Sequence, residues 1–269
     1  MVRVLGIGDN TVDVYLHLGR MFPGGNAVNV AVLAQRFGHP SSYIGWLGND
    51  VYGSLLLTAL RAERVDITRC RVLDAENAHC EVTLMDGDRV FGESSSGVCP
   101  MIALDEEDYA FVREHDLVHT SIFSHIEREL PMLKEAAATL SFDFSQSWTR
   151  DYLTVNLPHV DIAVLSYPDR PRSDVEEMMS WVLGQGPQLV LVTQGSRGAL
   201  VSDGLHVYHQ GIVEADIVDT LGAGDAFAAR FLVEYLDSTP IEDAMFRAAQ
   251  SAAETCGYYG AFGHGIDTP

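Results

Sequence analysis

The stretch Asp219-Thr220-Leu221-Gly222-Ala223-Gly224-Asp225-Ala226-Phe227 limits what this chain can build more than any other part of it. An apolar run at 212–218 precedes it, and Ala226-Phe227-Ala228-Ala229-Arg230-Phe231-Leu232 continues it with a helical pattern. A glycine-rich turn therefore stands at the start of a helix. Gly222 and Gly224 permit backbone angles closed to other residues and let a ligand approach the main chain. The first N–H groups of a helix lack intrahelical acceptors and the dipole there is positive, so the turn suits an anion such as phosphate. Asp225 is out of place in a plain phosphate cradle, because a carboxylate repels phosphate. Two tasks explain it: capping the helix, or serving as general base for a hydroxyl that attacks a phosphoryl group.

Strand-length apolar runs alternate with helical patterns along nearly the whole chain, which predicts an α/β fold with a mainly parallel central sheet. In such sheets ligands sit at the carboxyl ends of the strands. Asp9 and Asp13 follow the first strand at that end, either as turn-formers or as acceptors for the hydroxyls of a polyol. Pro23-Gly24-Gly25 then breaks the chain before a helical pattern that carries Asn29, a side chain able to donate and accept. The glycine pair is a tight turn or a place of close ligand approach. Between 68 and 98 the pattern changes to short alternating strands, with Asp86-Gly87-Asp88 as a hairpin turn. Thr193-Gln194-Gly195-Ser196-Arg197-Gly198, after the strand at 188–192, reads as a hairpin turn or as a nucleotide turn. His115, His119 and His125 straddle a strand at mixed parity and read as core or strand-end residues, with His125 the one placed to face a substrate. Residues 265–269 read as a loose tail.

Charge excludes several classes of partner. With 17 basic against 38 acidic residues the chain carries −21, a field that repels nucleic acid and anionic membrane. A phosphate donor must then be met by local devices, backbone amides and a metal, so Mg²⁺ is expected. No G-x-x-x-x-G-K-[ST] string occurs, which excludes a P-loop enzyme. The four cysteines show no metal or redox spacing and read as reduced thiols. The first residues enter a strand without a signal-peptide pattern, and no apolar run has membrane-span length, so a cytoplasmic protein is expected.

The string from Asp219 to Phe227 resembles the C-terminal signature of the PfkB (ribokinase-like) carbohydrate kinases, and Gly24-Gly25-Asn26-Ala27-Val28-Asn29 resembles their N-terminal one. The resemblance implies a ribokinase-like three-layer α/β fold, one domain over 1–269, with a mainly parallel central sheet and a small β-sheet lid from about 12–21 and 73–98. It implies Asp225 as catalytic base with Gly222, Ala223 and Gly224 as the anion hole. It places Asp9, Asp13, Gly24, Gly25 and Asn29 at the sugar, and Thr193, Gly195, Gly198 and Thr220 at ATP. Further strings, Asp88-Arg89-Val90-Phe91-Gly92, Phe142-Asp143-Phe144-Ser145 and Tyr259-Gly260-Ala261, resemble the branch of the family that phosphorylates fructosamines at the 6-hydroxyl. A fructosamine such as fructoselysine is the expected substrate; other sugar or nucleoside kinases of the fold, and a non-catalytic sugar-binding relative, are the alternatives. Acidic residues of the lid, Asp86, Asp88 and Glu93, are candidates to face the substrate's amine, and a homodimer through the lid is a further expectation. Two departures stand out. At Ser166-Tyr167-Pro168-Asp169 the family's N-x-x-E metal motif is missing, which leaves the metal ligands unknown, and Arg230 replaces the usual glycine five residues after the base.

Overall fold

The computed structural model describes residues 1–85 and 88–269. Runs such as Val4–Ile7 and Leu189–Thr193 are buried along nearly their whole length, so both faces of the sheet they enter must be covered. That sheet has eight strands, in the order Val207–Gln210, Ala199–Ser202, Leu189–Thr193, Ile162–Ser166, Leu140–Asp143, Leu117–Ser121, Val4–Ile7 and Ser41–Ile44. All pairings from Ser41–Ile44 to Leu189–Thr193 are parallel, and the remaining two strands close as an antiparallel hairpin. Alternate side chains serve opposite layers. Leu5, Ile7, Val118 and Val190 pack with helices Leu130–Ala136 and Arg172–Leu183, whereas Val4, Leu117, Leu189 and Leu191 pack with helices Asn26–Arg36, Ala223–Leu236 and Ile241–Thr255. This is the expected three-layer arrangement.

A five-stranded second sheet, in the order Ile266–Asp267, Arg20–Gly24, Thr11–Tyr15, His79–Met85 and Asp88–Ser95, forms the expected lid. Val12, Val14 and Met21 fix it to Leu55, Leu56 and Ala59 of helix Val51–Ala62. Its first hairpin reaches Gly24, so two strands of the lid deliver Asp13 and Gly24 to the carboxyl edge of the large sheet. The tail reading of 265–269 is corrected. Ile266 pairs with Met21, Asp267 with Arg20, and the Thr268 N–H donates to the Gly19 carbonyl at 2.9 Å. Those pairs cover a strand edge that would otherwise expose unpaired backbone groups. The apolar run at 212–218 forms no strand. Ile212, Val213 and Ile217 line a cavity instead; Ile212 and Ile217 stay exposed there, and Val213 packs against the core. The turn residues Asp86 and Gly87 lie outside the described residues, as do the side chains of Asp88 and Arg89. Among the described residues no helix is long and apolar enough to cross a membrane.

Candidate active site

Gly222 takes the left-handed conformation, φ 77°, and caps helix Ala223–Leu236 without any side-chain bond. The capping alternative for Asp225 is thereby removed: Asp225 is the third residue of the helix and makes no cap bond to it. Asp225 Oδ1 accepts from Asn26 Nδ2 at 2.9 Å, and Oδ2 from Asn29 Nδ2 at 2.5 Å. Both amides come from the first turn of helix Asn26–Arg36, and the two helix starts thus face each other across the carboxylate. Burial pushes Asp225 up to about 7, the charges of Asp143 and Asp9 add to the rise, and the two amide bonds oppose it. A carboxylate so poised exchanges a proton near neutral pH.

The glycines of the turn have different reasons. A Cβ on Gly222 would stand 2.4 Å from Ala261 Cβ, so the packing of Tyr259-Gly260-Ala261 against the turn requires glycine there, as does the positive φ. A Cβ on Gly224 would meet nothing within 4 Å. The first intrahelical bond is Ala226 N–H to the Gly222 carbonyl at 2.8 Å, so the amides of Gly224 and Asp225 precede the ladder, while the Ala223 N–H turns to the Thr220 carbonyl at 3.3 Å. Asp219 anchors the whole turn. Its carboxylate accepts from the Tyr15 hydroxyl on the lid, from the Gly260 N–H at 3.0 Å and from the Leu221 N–H at 3.0 Å.

The residues expected at the sugar divide into two groups. Asn29 is 4% exposed, and its Oδ1 is buried with no hydrogen-bond partner. A Cβ on Gly24 would stand 2.8 Å from Asp13 Oδ2 and 3.8 Å from Asn29 Oδ1, so both acceptors converge above the bare Gly24 backbone. These three residues leave an acceptor-lined niche beside Asp225. Asp9 departs from its expected task. Its oxygens accept from the Asn26 N–H (2.5 Å), the Ala27 N–H (3.3 Å), Ser121 Oγ (2.7 Å) and Ser124 Oγ (2.8 Å), which ties the start of helix Asn26–Arg36 to the sheet edge. Gly25, at φ 109°, lets the chain pass Asn10, whose Cα would be 2.5 Å from a Cβ there. Glu93 is exposed on the lid.

Thr193, Gly195, Gly198 and Thr220 line one cavity of about 970 Å³ together with Ala223 and Gly224. Ile212, Ile217, Phe227 and Ala252 give it apolar walls, and among the described residues neither Lys nor Arg lines it, whereas Glu214 and Asp216 do. Gly198 also has a packing reason, since a Cβ would stand 2.0 Å from the Gln210 carbonyl oxygen across the hairpin. The start of helix Ala223–Leu236 therefore borders this cavity with Ala223 and Gly224, and the acceptor niche with Asp225. Among the described residues no three His, Cys, Asp or Glu side chains gather as a metal cluster. Glu176 is paired to Arg172 at 2.6 Å on its own helix.

Sequence reasoning assigns no site role to Asn26, Asp143 or Asp219, and reads His119 only as a core or strand-end residue, which its full burial bears out. Asn26 stands inside the string Gly-Gly-Asn and Asp143 ends a buried strand, which were the available signals. His119, fully buried, and not the exposed His125, connects to Asp225, through Asn26. Arg230 acquires a physical account: it pairs with Glu234 at 2.6 Å and lies 4.8 Å over the Phe37 ring, which links the helix of Asp225 to the end of the helix of Asn29.

Two acceptors converging over Gly24 beside a buried carboxylate, and a neighbouring cavity of about 970 Å³, built on a three-layer sheet with a β lid, fit a kinase of the ribokinase-like class. Arabidopsis thaliana ribokinase complexed with ribose and ATP shares the fold at a TM-score of 0.85, with 21% identity over 99% of this chain and 96% of that one. The chain belongs to the pfkB family of carbohydrate kinases, which it matches over residues 6–268. It is 45% identical to the fructosamine kinase FrlD of Bacillus subtilis (strain 168), with 98% of this chain and 94% of that protein aligned. It is 38% identical to the fructoselysine 6-kinase of Escherichia coli (strain K12), with 97% and 100% aligned.

Proposed function

We propose that this kinase transfers the γ-phosphoryl group of ATP to the 6-hydroxyl of fructoselysine or a closely related fructosamine. The reaction rests on Asp225, a carboxylate held by two amides at a helix start between the niche and the cavity. The sugar fits the niche of Asp13, Gly24 and Asn29, where Asn29 Oδ1, buried without a hydrogen-bond partner, awaits a hydroxyl donor beside the Asp13 carboxylate. ATP fits the cavity of Thr193, Gly195, Gly198 and Thr220, with its base against the apolar walls and its phosphates toward Gly224. Asp225 takes the hydroxyl proton as the new P–O bond forms and the bond to ADP breaks. The amides of Gly222, Ala223 and Gly224 face the developing charge, with that of Ala223 already partly engaged. Among the described residues no Lys or Arg lines the cavity, which fits a nucleotide that arrives with Mg²⁺ to neutralise charge on the phosphates. Substrate identity is supported by the two named relatives, aligned over nearly the full chain. The outer lid strand, Asp88–Ser95, pairs on one side only among the described residues, and we place a homodimer contact there; a light-scattering mass of 29.4 kDa would remove it.

Coupled ADP release across fructoselysine, fructose, ribose and adenosine tests the substrate. The expected kcat/KM for fructoselysine exceeds that for fructose by about ten- to a hundredfold, the value of one buried polar pairing to the amine-bearing end. Equal values for the two sugars would leave a hexose kinase without fructosamine preference.

The anion-hole reading has its clean test at Gly224, not at Gly222, whose replacement would collide with Ala261. A Cβ at Gly224 has no heavy atom from outside its own helix within 4 Å, so Gly224→Val has room at its branch point yet places methyl groups where phosphate reaches the amides. It is expected to melt near the wild-type temperature and to lose ~10²-fold or more in kcat. Wild-type turnover in this variant would place the phosphate elsewhere.

A further inference from the structure

Behind Asp225 runs a buried chain of hydrogen bonds that neither the niche nor the cavity uses. Asn26 Nδ2 donates to Asp225 Oδ1 and to Asp143 Oδ2, each at 2.9 Å. Asn26 Oδ1 meets His119 Nε2 at 2.8 Å, and His119 Nδ1 meets Ser141 Oγ at 2.7 Å. An amide oxygen only accepts, so His119 Nε2 carries the hydrogen and the Ser141 hydroxyl donates to Nδ1. The ring is neutral: it is 0% exposed, and burial holds it down at about 3. An asparagine side chain has two orientations, and the N–H of His119 selects the one whose nitrogen faces the carboxylates. The reverse orientation would aim the amide oxygen at two acidic groups.

We propose that His119, Asn26 and Asp143 are positioning residues for phosphoryl transfer: His119 locks the Asn26 amide, and that amide fastens the base Asp225 to a second carboxylate whose charge acts on it. This rests on the assignment of Asp225 as base. The groups that face Asp225 are Asn26 and Asn29 from helix Asn26–Arg36, Asp143 from strand Leu140–Asp143, and Asp9 from the turn after Val4–Ile7; Asp13 of the lid lies beyond Asn29. Two carboxylates on one neutral amide disfavour each other's ionisation. Burial raises Asp143 to about 6, against the Ser145 N–H and Asn26 bonds, and the charge of Asp143 contributes to raising Asp225. When Asp225 accepts the hydroxyl proton, one of two facing charges disappears. The repulsion therefore strengthens the base at the step where it works, and it confines the ionised base to higher pH.

The sugar kcat/KM of the complete enzyme, followed from acid to mildly alkaline pH, tests this, since that ratio reports groups of the free enzyme. Wild type is expected to lose activity below an acid limb near pH 7. Asp143→Asn removes the like charge, so the limb moves to lower pH, with both KM values at alkaline pH near wild type. His119→Leu is expected to lower kcat by about 10- to 100-fold with unchanged KM, and His119→Gln, whose amide still donates, to recover most of it. An unmoved limb in a folded Asp143→Asn overturns the proposal. So does equal turnover of the Leu and Gln variants, which decides the matter alone if Asp143→Asn does not fold. An active Asp225→Asn would instead refute the base assignment, whereas an inactive one beside an unmoved Asp143→Asn limb refutes only this inference.

Discussion

Asp225→Asn is expected to fold, to bind sugar within a few-fold of wild type, and to turn over ~10²–10⁴-fold more slowly. The fold survives because the pocket can re-pair. In wild type the carboxylate accepts from two amide nitrogens, and an asparagine at 225 would set its own nitrogen against one of them. Asn26 is locked by His119, but Asn29 Oδ1 has no hydrogen-bond partner, so the Asn29 amide is able to reverse and accept from the new group. That reversal turns a donor toward the space over Gly24, and a hydroxyl, which accepts as well as donates, stays paired there, so sugar affinity changes by only a few-fold. Turnover has no such remedy, because a neutral amide takes no proton from the attacking hydroxyl. Single-turnover phosphate transfer and calorimetric sugar binding, measured on one preparation, separate the two effects. A variant that keeps more than about a tenth of the wild-type kcat would end the assignment of Asp225 as base.

What the sequence disclosed about this site, and what it withheld, follows from the range of each interaction. The turn at 219–227 announced itself because φ 77° at Gly222 and an acid in the first helical turn are local demands, met by residues adjacent in the chain. The parallel sheet was legible for a similar reason, since strands buried on both faces are written as continuous apolar runs. Asp9 misled because its position at a strand end is equally apt for a ligand and for a helix start brought in from residue 26. Only the fold shows that Ser121, Ser124 and two backbone amides fill it. The tail failed likewise: Ile266 and Asp267 carry no strand signal of their own, and their partners Met21 and Arg20 lie at the other end of the chain. The relay of Asn26, His119 and Asp143 joins three separate elements, and parity along one strand said nothing about it. Arg230 makes sense only once Phe37 is seen beneath it.

The pair Asp13 and Asn29 gives the second large effect, and the structure separates two residues that the sequence treated alike. Both direct an acceptor at the space over Gly24, so on the proposed sugar site loss of either is expected to leave a substrate hydroxyl unpaired, at ~1–3 kcal/mol, or roughly ten- to a hundredfold in sugar KM. Asn29 has a second duty, since its Nδ2 holds Asp225 Oδ2. Asp13→Asn is therefore expected to raise the sugar KM with kcat near wild type, whereas Asn29→Ala raises the sugar KM and lowers kcat together. Neither residue lines the cavity of Thr193 and Thr220, so the ATP KM is expected to stay within a few-fold in both variants. Full two-substrate kinetics on the two proteins distinguish these patterns. If Asp13→Asn moves both KM values equally, the residue supports the lid and not the sugar; if Asn29→Ala leaves kcat intact, its bond to Asp225 does not serve the transfer step.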